Sequence, residues 1–468
     1  MSTPGPVGQG LQLAPFRALR YVAERVGSLA AVTSPPYDVV VRPDGLRALE
    51  TADPYNIVRL ILPQAGTPAD RHRQAAETLR RWQADGILAP DPEPALYVYE
   101  QRDGHVLQRG LIGALRLSPR EEGVVLPHEE VMPHVVEDRA ALMRATAANL
   151  EPLLLAYRGD GSVSGAAAVL ERAVQGRPLL STPTEDGFSH RLWRVTDPAD
   201  LAQIAADLRH RQALIADGHH RWATYLRLRE ERTEPGPWDF GLVLLVDTAR
   251  YPLRVRAIHR LLHRLSPADA LAALGAPGAH RTPGPADPTD LTGPTGPSSP
   301  TPGSGGSGDS GGSGGAAFRV RPVDGPLPQA LATLAKAADE PGAGNAFLLA
   351  GHGGFLLLDR PDPALLARTI PADRPEAWRT LDATVLHSLL LEHIWKVPDD
   401  PGHIGYIHDA AAAVEQAERH GGTAVLMHPV REGVVHDLAR QGIPMPHKST
   451  SFGPKPASGL VLRSLALG

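Results

Sequence analysis

A mixed α/β body with α+β character is the fold class predicted by this chain of 468 residues. Three observations predict it. Helix-period segments alternate with short apolar runs along most of the sequence. Hydrophobic residues make up 42% and charged residues 21%, close to globular norms. The length is about two to three times that of a typical domain, so a sizeable core divided among two or three domains is expected.

The elements read in order as follows. Residues 67–86, TPADRHRQAAETLRRWQADG, form a helix with Thr67 as N-cap and Pro68 in the first turn. Ala75, Leu79 and Trp82 share its apolar face, and Gly86 stops it. ALYVYEQ and RGLIGALRL flank RDGH, where Asp103-Gly104 is a favoured hairpin turn, and so predict an antiparallel pair. EDRAALMRATAANL is a helix with Glu137 and Asp138 at its positive end, and PLLLAY is a buried strand. LAQIAADLRHR is a helix, ALIA a short strand, and HRWATYLRLREER a helix whose Trp222, Tyr225 and Leu226 share a face. FGLVLLVD is a further buried strand. AFLLAGHGGFLLL reads as a Gly-turned hairpin whose glycines need no ligand. In DAAAAVEQAERHGGTAVLM, Asp409 caps a helix, Gly421 ends it, and a strand follows.

Residues 276–316 are almost wholly Pro, Gly, Ser, Thr, Ala and Asp, in a chain rich in Gly (47) and Pro (46). Such a tract buries too little apolar surface to offset its ordering entropy, so it is expected to be a disordered insertion. Limited proteolysis should cut there first, and replacement by a short Gly/Ser linker should leave the melting transition nearly unchanged; a large loss would mean that the tract packs. The expected organisation is an N-terminal α/β region (1–110), a core (111–275), the insertion (276–316) and a C-terminal α/β region (317–468).

With no cysteine, disulfide scaffolds, thiolate metal sites and cysteine nucleophiles are excluded together. A net charge of -5 and a pI near 6.5 give no global field for phosphate backbones and argue against a protein devoted to nucleic acid. MSTPGPVGQG lacks the basic and apolar regions of a leader, and no apolar run approaches bilayer length, so a cytoplasmic protein without membrane partners is expected.

Three stretches carry candidate chemistry. In IADGHHRWATYL (215–226), a strand leads into Asp217-Gly218-His219-His220-Arg221 at a helix start. Unsatisfied N–H groups there favour an anion, and the Arg221 fork can take phosphate oxygens. Asp217 could hold Mg²⁺ or orient a hydroxyl; it reads equally well as a helix cap, with Arg221 paired to a surface acid. Adjacent imidazoles point about 100° apart, which disfavours shared ligation of one metal. In VVLPHEEV (124–131), Pro127 ends an apolar run and exposes His128 and Glu129 at a strand terminus, as a general base or as a charged loop. In MPHKSTSFGPKP (445–456), Lys448, Ser449 and Thr450, with Lys455 beyond, make a cationic hydroxyl-bearing loop. It could close on an anion or be plain surface; His447 replaces the glycine of a phosphate loop, and the prolines prevent the following helix. SPPYD (34–38) presents Tyr37 and Asp38 as a rigid binding loop or a turn. Although there are 20 histidines, no G-x-S-x-G elbow between strand and helix anchors a hydrolase triad.

PFRALRY, SPPYDVV, NIVRLILP, PHE, EDRAALMRATAANLEPLLLAY, ADGHHRWATYL and MPHKSTSFGPK…SGLVL together resemble the bacterial domain-of-unknown-function family ten-fifteen, from about residue 15 to the C-terminus. The PHE and DGHHR elements look like those of free-serine kinases of the ParB/sulfiredoxin-like fold. The resemblance implies a ParB-like nucleotide-binding core with additional N- and C-terminal α/β regions. It also implies Glu129 as base toward a hydroxyl substrate, Asp217 as second catalytic group and tentative Mg ligand, and Gly218, His219, His220 and Arg221 at the nucleotide phosphates. His128, Tyr37 and Asp38 would approach the substrate. The implied activity is phosphoryl transfer from ADP or ATP to a small hydroxyl metabolite such as serine. Trp222 stands where tyrosine is more usual, and the chain is longer than a minimal serine kinase. Absence of cysteine removes sulfiredoxin chemistry; a ParB-like nucleotide-binding regulatory protein is the alternative.

Overall fold

The computed structural model describes residues 10–37, 39, 43–184, 187–275, 316–351 and 354–467. The chain divides into two compact units, residues 1–256 with 429–468, and residues 257–428. The expected boundaries differ from this division. Position 110 falls inside the strand Leu107–Arg116, which pairs along its length with neighbours on both sides. The expected C-terminal region is split, because Ser451–Gly453 pairs with Arg254–Arg256 and Leu462–Ser464 lies between Ala18–Tyr21 and Ala148–Asn149. The expected insertion (residue 316 apart) and the turn residues His352 and Gly353 lie outside the described residues.

The first unit is built on a sheet of nine described strands. Its order is Val125–Leu126, Ala213–Asp217, Leu153–Tyr157, Phe240–Asp247, Leu107–Arg116, Leu96–Arg102, Ser189–Val195 and Leu180–Pro183, with Leu13–Ala14 added on Leu107–Arg116. Pairing is mixed: Ala213–Asp217 is parallel to Val125–Leu126, and Phe240–Asp247 is parallel to Leu153–Tyr157, while the other pairs are antiparallel. The central strands LLLAY and FGLVLLVD are apolar without alternation because both faces are covered. Leu153, Leu155, Ile215, Val243 and Leu245 form one core with Trp222, Tyr225 and Leu228 of the helix His219–Glu230. Each such side chain contributes about 1.5–3 kcal/mol by leaving water.

Local chemistry explains where the helices begin. Thr67 accepts a hydrogen bond from the Asp70 amide, and the helix Pro68–Ala84 buries Ala75, Leu79 and Trp82 as its spacing predicts. The helix expected from Glu137 instead starts at Pro133 and runs to Thr146, placing Glu137 and Asp138 in its second turn. Pro133 has no N–H to satisfy and its φ suits a first helical position, so it moves the start one turn earlier.

The second unit contains an antiparallel sheet of six described strands in the order Arg319–Val323, Gly354–Asp359, Phe347–Gly351, Thr423–Met427, His259–Leu262 and Ile404–Ile407. Its two faces carry separate apolar clusters, one around Phe347, Val425 and Leu389, the other around Leu348, Ala417 and Leu334. Asp409 caps Ala410–His420 and Gly421, at φ 72°, closes it. Among the described residues no helix is long and apolar enough to cross a membrane.

Candidate functional site: three motif segments on one sheet edge

Parallel pairing of Val125–Leu126 with Ala213–Leu214 makes both strands end on the same side, so the PHE and DGHHR segments emerge together. The strand ends at Asp217, and the helix starts at His219. Gly218 links them at φ 99°, where an added Cβ would sit 2.9 Å from Leu153 Cγ and 3.2 Å from Arg221 Nε. Left-handed backbone and close side chains both require glycine there.

Asp217 is the hub of a buried charge cluster. Its Oδ2 accepts from Arg221 Nη2 at 2.7 Å, and its Oδ1 lies 2.5 Å from Lys455 Nζ. Arg221 Nη1 donates to the Pro152 carbonyl at 3.1 Å and lies 4.0 Å from Glu151 Oε2. Glu151 in turn accepts from the Tyr37 amide and the Ser458 hydroxyl, each at 3.0 Å. The Tyr37 ring lies under two guanidinium groups, with Arg139 Cζ at 4.7 Å and Arg221 Cζ at 5.7 Å from its centre. Asp38 lies outside the described residues.

This geometry corrects two expectations. Both oxygens of Asp217 are engaged by cations, so a divalent ion there would be a third positive charge on one carboxylate. Among the described residues no group of three His, Asp or Glu side chains is placed to hold a metal. Asp217 therefore does not fit the role of Mg ligand. The Arg221 fork, expected on phosphate, braces Asp217 and Pro152 instead and is 4% exposed. Removing one partner of a buried pair leaves an uncompensated charge, so Arg221→Ala should lower stability by about 3–5 kcal/mol. Urea titration checks this; a loss below about 1 kcal/mol would contradict the bracing role.

The three imidazoles lace the segments together. The His128 amide donates to His219 Nε2 at 3.2 Å, and the Met132 amide donates to His220 Nε2 at 3.1 Å. His128 Nε2 lies 3.0 Å from Thr450 Oγ1, and the His128 carbonyl accepts from the Met445 amide at 2.7 Å. Burial drives the His128 imidazole down to about 3. Burial also holds His219 well below its ordinary value, aided by His128, His220, Lys455 and Lys448. Because its Nε2 accepts, neutral His219 carries its proton on Nδ1, which faces Glu129 Oε2 at 3.6 Å. The DGHHR imidazoles, expected on nucleotide phosphate, thus offer Nε2 to the backbone of the PHE segment.

Glu129 is the more open carboxylate, with a quarter of its side chain exposed. Ser449 bonds the Pro446 carbonyl and Thr450 bonds His128, so both hydroxyls of the expected anion loop make contacts within the protein. Lys448, at φ 53°, is half-buried and adds positive charge near His219. Glu151, Arg139 and the Asp217 contact of Lys455 were not singled out by the sequence: Arg139 and Glu151 fall within the segment EDRAALMRATAANLEPLLLAY, where nothing local marks them apart from their neighbours. A cleft of about 1140 Å³, lined by Arg116, Arg120, Leu226, Arg229 and Phe240 among others, contains none of the candidate site residues.

Fold and site define a mixed α+β protein whose titratable groups converge at one edge of a large sheet. The chain belongs to the family described as "Protein of unknown function (DUF1015)", whose model matches residues 13–384. Lys448 to Lys455 lie beyond the matched region. No curated protein matches the chain. Solved structures similar to it include "Free serine kinase in complex with AMP", at 13% identity and TM-score 0.31, covering 70% of this chain and 83% of that one. A conserved hypothetical protein from Pyrococcus furiosus is similar at 13% identity and TM-score 0.32, covering 74% and 94%. SbnI with C-terminal truncation from Staphylococcus aureus is similar at 9% identity and TM-score 0.33, covering 75% and 87%.

Proposed function

We propose that the first unit is a ParB-like, nucleotide-dependent phosphotransferase acting on the hydroxyl of a small metabolite, with free serine the first acceptor to test. The observation that carries this reading is the approach of Glu129 to the start of the helix His219–Glu230, through the 3.6 Å contact with His219 Nδ1. A carboxylate suited to take a proton thus stands beside a helix end suited to an anion.

In this reading ADP or ATP places its terminal phosphate at the helix start, where backbone N–H groups and Lys448 favour negative charge. The hydroxyl proton passes to Glu129. The hydroxyl oxygen forms a bond to the terminal phosphorus, and the bond from that phosphorus to the bridging oxygen breaks, leaving AMP or ADP. His219 keeps Glu129 oriented, and Asp217 orders the cations around the turn. No step is routed through magnesium, since Asp217 does not fit its coordination.

The test is incubation of the full chain with ADP or ATP, with and without Mg²⁺, and a panel of hydroxyl metabolites headed by serine, followed by mass spectrometry. A phosphorylated acceptor is expected. Tight nucleotide binding without product from any acceptor would replace this reading with a nucleotide-binding regulatory protein.

A further inference from the structure

Of the 47 basic residues only four are lysines, at 336, 396, 448 and 455; all others are arginine. Several buried and half-buried carboxylates in the first unit form close ion pairs with guanidinium groups, as in Arg20–Asp91, Arg109–Glu100 and Arg139–Asp138. Two of the four lysines nevertheless fall in the eight residues KSTSFGPK. A planar fork matches a carboxylate better than an ammonium does, so pairing with Asp217 alone gives no reason for lysine at 455. An ammonium is a compact point charge with three rotatable donors, and in that role it can meet a single phosphate oxygen from one side.

The backbone around Lys455 is pinned on both sides. Ser451–Gly453 pairs with Arg254–Arg256. The Pro454 carbonyl accepts from Gln101 Nε2 at 3.1 Å and Gln108 Nε2 at 3.0 Å, both from buried side chains. The Ala457 amide donates to Tyr99 Oη at 3.2 Å, and Ser458 exchanges two backbone bonds with Ser34. Asp217 then fixes the ammonium itself, at the turn into the helix His219–Glu230, with 17% of the Lys455 side chain still exposed. Lys448 bears on the same imidazole, His219. A charge held this firmly needs little reorganisation to meet an anion.

We propose that Lys455 is the ammonium that contacts a terminal phosphate oxygen of a polyphosphate ligand, with Asp217 as its positioning residue. The assignment deepens the phosphotransferase reading and rests on it for the identity of the nucleotide, though the anion site itself can be examined without one. It gives Asp217 a role in place of metal ligation: the carboxylate orders Arg221 and Lys455 about the turn, and the lysine faces the ligand.

The experiment is calorimetric titration of the full chain with inorganic pyrophosphate in EDTA, then with ADP and ATP, for wild type, Lys455→Met and Lys455→Arg. Each variant's melting temperature is recorded. Lys455→Met should bind pyrophosphate at least tenfold more weakly. Lys455→Arg, which keeps the charge for Asp217, should melt like wild type yet bind at least fivefold more weakly. If Lys455→Met does not fold, Lys455→Arg decides alone. Wild-type affinity in Lys455→Arg would make Lys455 a structural partner of Asp217 and overturn the assignment, as would failure of the wild type to bind pyrophosphate. Lys455-dependent binding of pyrophosphate without ADP or ATP binding would keep the anion site and overturn the nucleotide reading. Nucleotide binding that ignores Lys455 would do the reverse.

Discussion

Between pH 6.5 and 5 the first unit is expected to lose stability through two histidines, His128 and His219, with His128 alone accounting for roughly 1.5–2 kcal/mol. The sign follows from linkage. Burial drives His128 from 6.5 down to about 3, and His219 falls well below 6.5 for the same reason. In the unfolded chain both imidazoles take a proton as the pH drops below 6.5, while in the fold they do not. The unfolded state therefore binds more protons in this window; the loss from His128 steepens toward about 1.4 kcal/mol per pH unit, and His219 acts in the same direction. Their contribution is whole about a pH unit above 6.5, and for His128 the loss ends near pH 3.

Protonation also has a local consequence, because His219 Nε2 accepts the amide of His128. When this contact opens, a proton on Nε2 sets donor against donor and keeps the PHE segment from re-forming its bond to the DGHHR turn. In the second unit the balance differs: His259, lowered to about 4, acts in the same direction, but Asp382, raised to about 6, binds a proton preferentially in the fold and offsets it. Amide hydrogen exchange at His128 and Met132, followed from pH 7.5 to 5, measures the effect where it arises. Protection should fall at His128 with decreasing pH, after allowance for intrinsic exchange rates. Constant protection, or a urea midpoint with the same pH slope in His219→Asn, would show that the imidazoles do not carry the acid sensitivity.

The sheet and the position of the motifs were legible because local chemistry and tertiary packing agree there. Continuous apolar runs predict strands covered on both faces, and Leu153–Tyr157 and Phe240–Asp247 are such strands. Pro127 after Val125–Leu126, and Gly218 after Asp217, mark where backbone pairing must stop, so both turns could be read before their neighbours were known. Partners were not legible. Nothing within ten residues of Asp217 announces Lys455, whose approach depends on Ser451–Gly453 pairing with Arg254–Arg256 across some two hundred residues of chain. The return of 429–468 to the first unit was not legible for the same reason: it is set by long-range strand pairing, which has no compositional trace. The resemblance implies His219 and His220 at phosphates, and the sequence alone leaves phosphate or the neighbouring acid open, because spacing cannot tell whether an imidazole nitrogen meets a ligand or a backbone amide.

Glu129→Gln should leave nucleotide affinity within about twofold of wild type and slow phosphoryl transfer by about 10²–10⁴-fold. The substitution is close to isosteric, and the amide oxygen can still face His219 Nδ1, which lies 3.6 Å from Glu129 Oε2. The segment therefore keeps its place, and only the ability to take a proton is removed. Affinity should persist because the side chain acts on the acceptor rather than on the phosphates; losing one negative charge near the site could only favour an anion slightly. Single-turnover transfer and calorimetric binding, both at pH 7.5 so that the histidines stay neutral, separate the two effects. Equal rates in the variant would remove Glu129 as the base. A weakened nucleotide affinity with an unchanged single-turnover rate would instead make the PHE segment part of the nucleotide site, with the proton taken elsewhere.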